Sequence, residues 1–376
     1  MPSLRVLISG GGIAGATLAY WLAAGGHRVT IVESADRTRS SGSPVDVRGP
    51  AAAIAHAMGI WPRLAAAGTG VERLVFVDRE GNRRAVIPTR RSRNPDDEVE
   101  IARVELATAL LDAVDDSAEL ITGDSVVALA ADEAGVEARF DGGREDRFDL
   151  AIGADGLHSA VRRLAFGAEQ RFSRPMGLFI GTVRTDAVDT DPAEVILLNA
   201  PGTAIAIHPA GGNPGAAFIF RSRQAYDHRD PHRATVLIEG AYRGREWLTE
   251  RALAAWHTAS DTYFDEVTRI SVPRWSTGRI ALVGDAAGCV SVFGEGSSNA
   301  MLGARTLADA ICAAPTDPAD AFAAYERTHR RRSARSGAGA PVLARFLVPR
   351  TSGGISIRNA ALRTLGRIVV DFDVRR

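Results

Sequence analysis

The chain has 376 residues, 45% of them hydrophobic and 24% charged, which places it among globular proteins of about two domains. Its 45 basic residues are all arginine and balance 45 acidic ones, so no global field exists to hold nucleic acid or an anionic membrane. Two cysteines, Cys289 and Cys312, exclude a disulfide framework and any cysteine cluster for zinc or iron–sulfur.

The amino terminus runs from Met1 to Arg5 straight into Val6-Leu7-Ile8, an apolar stretch too short for a secretory signal core. No run approaches the ~18 consecutive apolar residues of a membrane span. A cytoplasmic protein is expected, with neither nucleic acid nor membrane as partner.

Leu4 to Ser9 reads as a short buried strand. Glycines follow, then a helical pattern through Ile13, Leu18 and Leu22, then a second apolar run from Val29 to Val32 that ends at Glu33. Strand, turn, helix and strand within about thirty residues make a βαβ unit on a parallel sheet. Gly49 to Gly68 is a second helical stretch. Arg73–Val77 and Arg84–Ile87 read as two short strands, and residues 89–98 as a polar loop. Arg103 to Val114 is a helix with Leu106, Leu110 and Leu111 on one face. Val126 to Phe140 alternates like a hairpin, and Phe148 to Ala154 is another buried strand.

The pattern then changes. Gly177–Thr185, Glu194–Pro209 and Ala216–Arg223 read as strands of an antiparallel sheet. Thr235 to Arg269 reads as helix. Arg279–Val283 returns as a buried strand, followed by a helix to about Ile311, and the tail from Pro318 is helical, broken by Pro341, Pro349 and Gly353-Gly354. The expected organisation is α/β. A first domain spans 1–70, 100–170 and 276–335. It is interrupted by a mainly antiparallel-sheet domain at 71–99 and 171–275, and a C-terminal helical segment covers 336–376.

Gly10-Gly11-Gly12-Ile13-Ala14-Gly15 is a G-x-G-x-x-G motif at a strand-to-helix turn. Gly10 permits the tight turn, Gly12 lets the backbone approach a pyrophosphate, and Gly15 allows close helix–strand packing. The helix start at Ile13 and Ala14 offers unpaired N–H groups and the positive end of a dipole. Glu33, with Ser34 after it, stands about 20 residues on, where an acid holds a ribose hydroxyl. The fingerprint leaves open which dinucleotide is bound.

Two later segments narrow the choice, Asp149-Leu150-Ala151-Ile152-Gly153-Ala154-Asp155-Gly156 and Gly278-Arg279-Ile280-Ala281-Leu282-Val283-Gly284-Asp285. With the first motif they resemble the single-component FAD monooxygenases of the p-hydroxybenzoate-hydroxylase fold, which include tetracycline-inactivating and polyketide-tailoring enzymes. The resemblance covers about residues 4–50, 100–165 and 275–330.

It implies a Rossmann-like FAD-binding domain with an inserted substrate-binding domain. The implied cofactors are FAD with NADPH or NADH as reductant, and the implied partners are O₂ and a small aromatic substrate, in a monomer or dimer. The implied reaction is hydroxylation through a flavin C4a-hydroperoxide. It further implies that Gly284 and Asp285 meet the ribitol chain, that Asp155 and Gly156 lie beside the pyrophosphate, and that Arg103 and Arg48 approach the FAD. Gly296, Ser298 and Asn299 would open a helix aimed at the flavin ring.

His208 is the candidate acid or base, and Phe179, Phe220 and Phe293 are candidates for an apolar substrate pocket; no residue pattern points to a metal. Gly288 and Val292 stand where many relatives carry a histidine or tyrosine and then a proline, and the 288–299 loop is one residue short. No second G-x-G-x-x-G and no Trp-x-Trp-x-Ile-Pro stretch of flavin halogenases occurs. A flavin dehydrogenase or reductase, and a non-catalytic FAD-binding protein, are the alternatives.

Overall fold

The computed structural model describes residues 2–35, 44–89, 97–185, 190–209, 214–244, 248–290, 296–336 and 339–373. β1 (Arg5–Ser9), α1 (Ile13–Ala24) and β2 (Arg28–Glu33) form the opening unit, its strands parallel from Arg5 opposite Arg28 to Ser9 opposite Val32. After β1's first residue its side chains are all buried, as a parallel strand covered on both faces requires. β3 (Pro44–Arg48) precedes α2 (Pro50–Ala57) and α3 (Trp61–Ala66), each with a proline in its first turn, where the missing N–H has no helical partner to lose.

β4 (Arg73–Val77) and β5 (Arg83–Pro88) form a hairpin, and β6 (Glu98–Ala102) pairs back antiparallel with β3. The loop expected over 89–98 lies mostly outside the described residues. α4 (Arg103–Val114) leads to β7 (Ala118–Thr122), and β8 (Val126–Ala131), β9 (Val136–Phe140) and β10 (Glu145–Phe148) make a small antiparallel sheet. β11 (Leu150–Gly153) and α5 (Ala160–Ala165) follow.

β12 (Ser173–Arg184), β13 (Glu194–Ala200), β14 (Thr203–His208) and β15 (Gly215–Arg221) come next, then α6 (Pro231–Tyr242) and α7 (Leu248–Thr258). The segment after α7 departs from the helical reading: β16 runs Thr262–Ser271 as a strand. Its Thr262, Tyr263, Phe264, Val267, Thr268 and Ile270 are β-branched or aromatic, and pairing along β12 gives that preference a sheet to join.

β17 (Ser276–Thr277) and β18 (Ile280–Leu282) return to the first sheet, while β19 (Gly288–Val290) pairs with β16. That short strand stands at the start of the expected 288–299 loop. α8 (Gly296–Ala313), α9 (Pro318–Ser336), α10 (Ala340–Leu347) and α11 (Ser352–Asp373) complete the chain. The helical tail breaks before Pro341, which sits in the first turn of α10, and at Pro349 between α10 and α11, whereas Gly353-Gly354 lie within the first turn of α11.

Two large sheets result. One has the order β17-β18-β11-β1-β2-β7, and the other β19-β16-β12-β15-β14-β13-β4-β5. The first packs its core against α1, α4 and α8. The second buries one face against α6 and α7 and part of the other against α10 and α11. No helix among the described residues is long and apolar enough to cross a membrane.

Candidate active site

A cleft of about 300 Å³ opens where β1, β2 and β11 end, at the amino terminus of α1. Sterics dictate its glycines. Gly10 has φ +105°, and a Cβ there would lie 2.6 Å from the Ala154 carbonyl oxygen. A Cβ on Gly15 would lie 1.9 Å from the Gly10 carbonyl oxygen, so only glycine lets α1 pack this close to its strand. Around Gly12 a Cβ would meet nothing within 4 Å; the space belongs to the cleft.

Glu33 closes the turn from the side. Its carboxylate accepts from the Gly11 N–H at 2.8 Å and from the Ala35 N–H at 3.0 Å, while the Ser34 hydroxyl donates to it at 3.3 Å. Gly12, Ile13, Ala14, Glu33, Ser34, Arg103, Gly156, Asp285 and Gly296 all line the cleft. Ala107, Leu111, Ser297 and Ala300 join them, although the sequence reading did not select these four. Spacing holds the signal for two of these: Ala107 and Leu111 follow Arg103 at i+4 and i+8 on one face of α4.

Asp285 is the sharpest feature of the floor. Among the described residues none donates a hydrogen bond to its carboxylate. Burial pushes its pKa up, against the pull of the Arg103 and Arg162 guanidiniums. Half-buried at the cleft and with no donor from the described chain, this carboxylate is open to a donor from a ligand. Gly284 turns the chain here with φ +63°.

Asp155 does different work. Its carboxylate accepts from the Ser159 hydroxyl and from the Val161 N–H at 3.0 Å, and the Ser9 hydroxyl lies 3.4 Å away. It organises the turn into α5, for which Ser159 is the N-cap, accepting from the Arg162 N–H at 2.9 Å. A second cavity of about 610 Å³ lies on the far side of this turn and shares Gly12, Glu33, Ser34 and Gly156 with the cleft.

The first turn of α8 reaches the cleft through Gly296 and Ser297. Ser298 is buried beside Ser297, and both hydroxyls donate to the Asp46 carbonyl, at 2.7 Å from Ser297 and 3.0 Å from Ser298. Asn299 follows it in the same turn, outside the lining of the cleft. Arg48 meets this turn through its backbone N–H, 3.4 Å from the Ser298 hydroxyl, while its guanidinium lies 3.4 Å from Asp46 and 3.9 Å from Glu98. The Arg48 side chain is therefore engaged within the β3–β6 ribbon.

His208 ends β14, its Nε2 lying 3.3 Å from Glu100 of β6, which also accepts from the Thr69 hydroxyl at 2.6 Å. The histidine stands where the large sheet meets the ribbon that touches α8.

The phenylalanines are a correction. Phe179 and Phe220 face each other across β12 and β15, stack with centroids 5.5 Å apart, and are fully buried against α6 and α7. Strand alternation puts them on the opposite face from Leu178, Ile180 and Ala204, so they form core and line no open pocket. Phe293 lies outside the described residues. Cys289 sits on β19, its thiol pushed far up in pKa by burial, which fits a small packed side chain and not a nucleophile. Among the described residues no group of three or more His, Cys, Asp or Glu is placed to hold a metal ion.

The residues present fit FAD. The α1 N-terminus and its bare glycines suit the pyrophosphate, Glu33 the adenosine ribose, the partnerless Asp285 a ribitol hydroxyl, and the α8 N-terminus the electron-poor end of the ring. A family model described as "FAD binding domain" matches residues 3–337. An uncharacterized protein of Mycobacterium tuberculosis strain H37Rv is 35% identical over 334 residues, covering 85% of this chain and 88% of its own. A flavin-dependent monooxygenase of Legionella longbeachae is 31% identical over 332 residues, covering 86% of this chain and 84% of its own. The crystal structure of tetracycline destructase Tet(51) superposes with a TM-score of 0.85 at 27% identity, over 98% of both chains. The chain belongs to the FAD-binding family, as an enzyme of its flavin-dependent monooxygenase class.

Proposed function

We propose that the chain is an NAD(P)H- and O₂-dependent hydroxylase of an aromatic or polyketide-like small molecule. The observation that carries this reading is the cleft between the α1 and α8 N-termini, with His208 of the large sheet joined to the same ribbon that anchors α8. The balance is substrate–H + O₂ + NAD(P)H + H⁺ → substrate–OH + NAD(P)⁺ + H₂O. Bound FAD supplies the redox and oxygen-transfer chemistry.

The chain's own residues bind and orient. Backbone N–H groups at Gly12, Ile13 and Ala14 hold the pyrophosphate, Glu33 the ribose, and Asp285 a ribitol hydroxyl. The α8 N-terminus at Gly296 and Ser297 stabilises negative charge at the near end of the ring. His208, backed by Glu100, is the side chain assigned to a substrate hydroxyl, as acceptor or donor of its proton. Similarity to a protein called a tetracycline destructase supports a substrate of the polyketide type.

The test supplies ¹⁸O₂ and NADPH or NADH to the holoprotein with a panel of phenols and planar polycyclic aromatics. A product carrying one ¹⁸O atom, formed with matching NAD(P)H consumption, is the expected result. Substrate oxidation with no label would assign a dehydrogenase instead. Nicotinamide that never reduces the flavin, with any compound, would remove the hydroxylase reading.

A further inference from the structure

Beside the Asp155–Gly156 turn, outside the FAD cleft, four ionisable side chains from four segments converge on one point. His158, in the loop between β11 and α5, lies 2.9 Å from Glu169 through Nδ1 and 2.9 Å from Asp265 through Nε2. Its ring stacks on His228, centroids 3.7 Å apart. Glu169 precedes β12, Asp265 belongs to β16, and His228 to the loop before α6.

Carboxylates are acceptors only, so a ring with one at each nitrogen satisfies both contacts only when both nitrogens carry protons. Burial opposes that charge. Hydrogen bonds to Asp265 and Glu169 outweigh it and raise the His158 pKa to about 9. Burial and the charge of His158 push the neighbouring His228 down, so it stacks as a neutral ring. The other charged or ionisable groups facing this point are Arg163, Tyr226, Asp227, Arg229 and Glu266, which line a cavity of about 410 Å³, the Arg162 guanidinium beside Glu169, and the Tyr263 hydroxyl, 3.5 Å from Asp265.

The backbone of the same turn is held from behind. Arg163 donates to the His158 carbonyl at 2.6 Å. Arg162, fully buried, donates to the Leu157 carbonyl at 2.5 Å and to the Ala286 carbonyl, next to Asp285, at 3.1 Å. Its guanidinium also lies 3.8 Å from Glu169. One continuous chain of contacts therefore runs from β16 through His158 and the Gly156–Leu157 turn to the Asp285 loop.

We propose that His158 is a positioning residue for the flavin: as an imidazolium it clamps the Asp155–Gly156 turn to β16, and loss of its proton frees that wall of the cleft. The proposal rests on FAD binding alone, and not on the substrate or reductant proposed above. Because the folded pKa lies above the ordinary 6.5, the clamp is complete below pH 6.5 and is lost as pH rises through about 9.

The test follows the release of FAD from purified holoprotein, by the rise in flavin fluorescence on dilution, between pH 6.5 and 10. For the wild type we expect Kd to rise about tenfold across that range, a coupling of ordinary size. His158→Gln should start about tenfold weaker at pH 6.5, stay flat, and meet the wild type at pH 10. Ionisation of the free flavin is common to both proteins and cancels in the comparison. His158→Gln with wild-type affinity at pH 6.5, or with the wild-type pH dependence, would overturn the proposal. Should that variant fail to fold, Asp265→Asn decides: removing one carboxylate must move the transition to lower pH, and an unmoved transition refutes the clamp. A protein that shows this behaviour yet hydroxylates nothing would leave the clamp standing and sink only the hydroxylase.

Discussion

Asp285 shows how a ligand site and a stability defect can be one residue. Its carboxylate stands at the cleft floor with burial raising its pKa and no hydrogen bond from the described chain. Such a group destabilises the empty protein and becomes satisfied when a hydroxyl arrives. Asp285→Asn should therefore raise the melting temperature of the FAD-free protein while weakening FAD binding about tenfold or more, as loss of a charge-assisted bond does. Thermal melts with and without FAD check both signs.

Legibility at this scale follows chemistry. Gly12, Glu33 and Asp285 stand in the cleft, and Gly10 in the adjoining cavity, because strand-end turns fix them by sequence spacing. Phe179 and Phe220 went the other way, since the face of a strand that looks at a helix layer is decided by α6 and α7, far along the chain. Ser297, and not Ser298, lines the cleft, although both hydroxyls donate to the Asp46 carbonyl. The pairing of His158 with Asp265, 107 residues away, has no local signal at all.

At the scale of elements, the βαβ unit and α4 were readable because apolar period and glycine punctuation agree. β16 was not, because Thr262–Ser271 follows two helices and its strand character needs β12 and β19 as partners. Two substitutions probe how elements are joined. Gly15→Ala would drive a methyl group into the Gly10 carbonyl, so β1 and α1 must separate; we expect a loss of about 2 kcal/mol and failure to retain FAD, read by melting and by flavin absorbance. Arg358 of α11 donates to the Asn199 side chain at 2.8 Å and the Phe346 carbonyl at 3.0 Å, and lies 4.2 Å from the Phe76 ring centre. Arg358→Ala should cost about 2 kcal/mol, yet leave FAD affinity unchanged, because α11 docks on the large sheet away from the cleft. Melting and a flavin titration on the same sample separate the two effects.

At the scale of the whole molecule, zero net charge leaves recognition to local contacts, and the cleft is walled by the strand ends of the first sheet with α1, α4 and α8. The first sheet presents strand ends and the α1 dipole to a dinucleotide. The second sheet brings His208 to the β3–β6 ribbon, and that ribbon in turn grips the first turn of α8. Under the proposed function, this arrangement links a substrate contact at His208 to the flavin end of α8 through a few hydrogen bonds. Val45→Pro, which leaves the Asp46 carbonyl that accepts from Ser297 and Ser298 but removes an N–H from the β3–β6 ladder, should weaken that link and lower kcat more than FAD affinity, measured by turnover and flavin titration.

The most direct measurement of the central claim follows the visible flavin band of the holoprotein under anaerobic conditions as NADPH, then NADH, is added with each member of the aromatic panel. Bleaching that one compound accelerates is expected, with colour restored on admitting air and a product one oxygen heavier. A band that no nicotinamide bleaches with any compound, or bleaching followed by air oxidation that never modifies the compound, would contradict it.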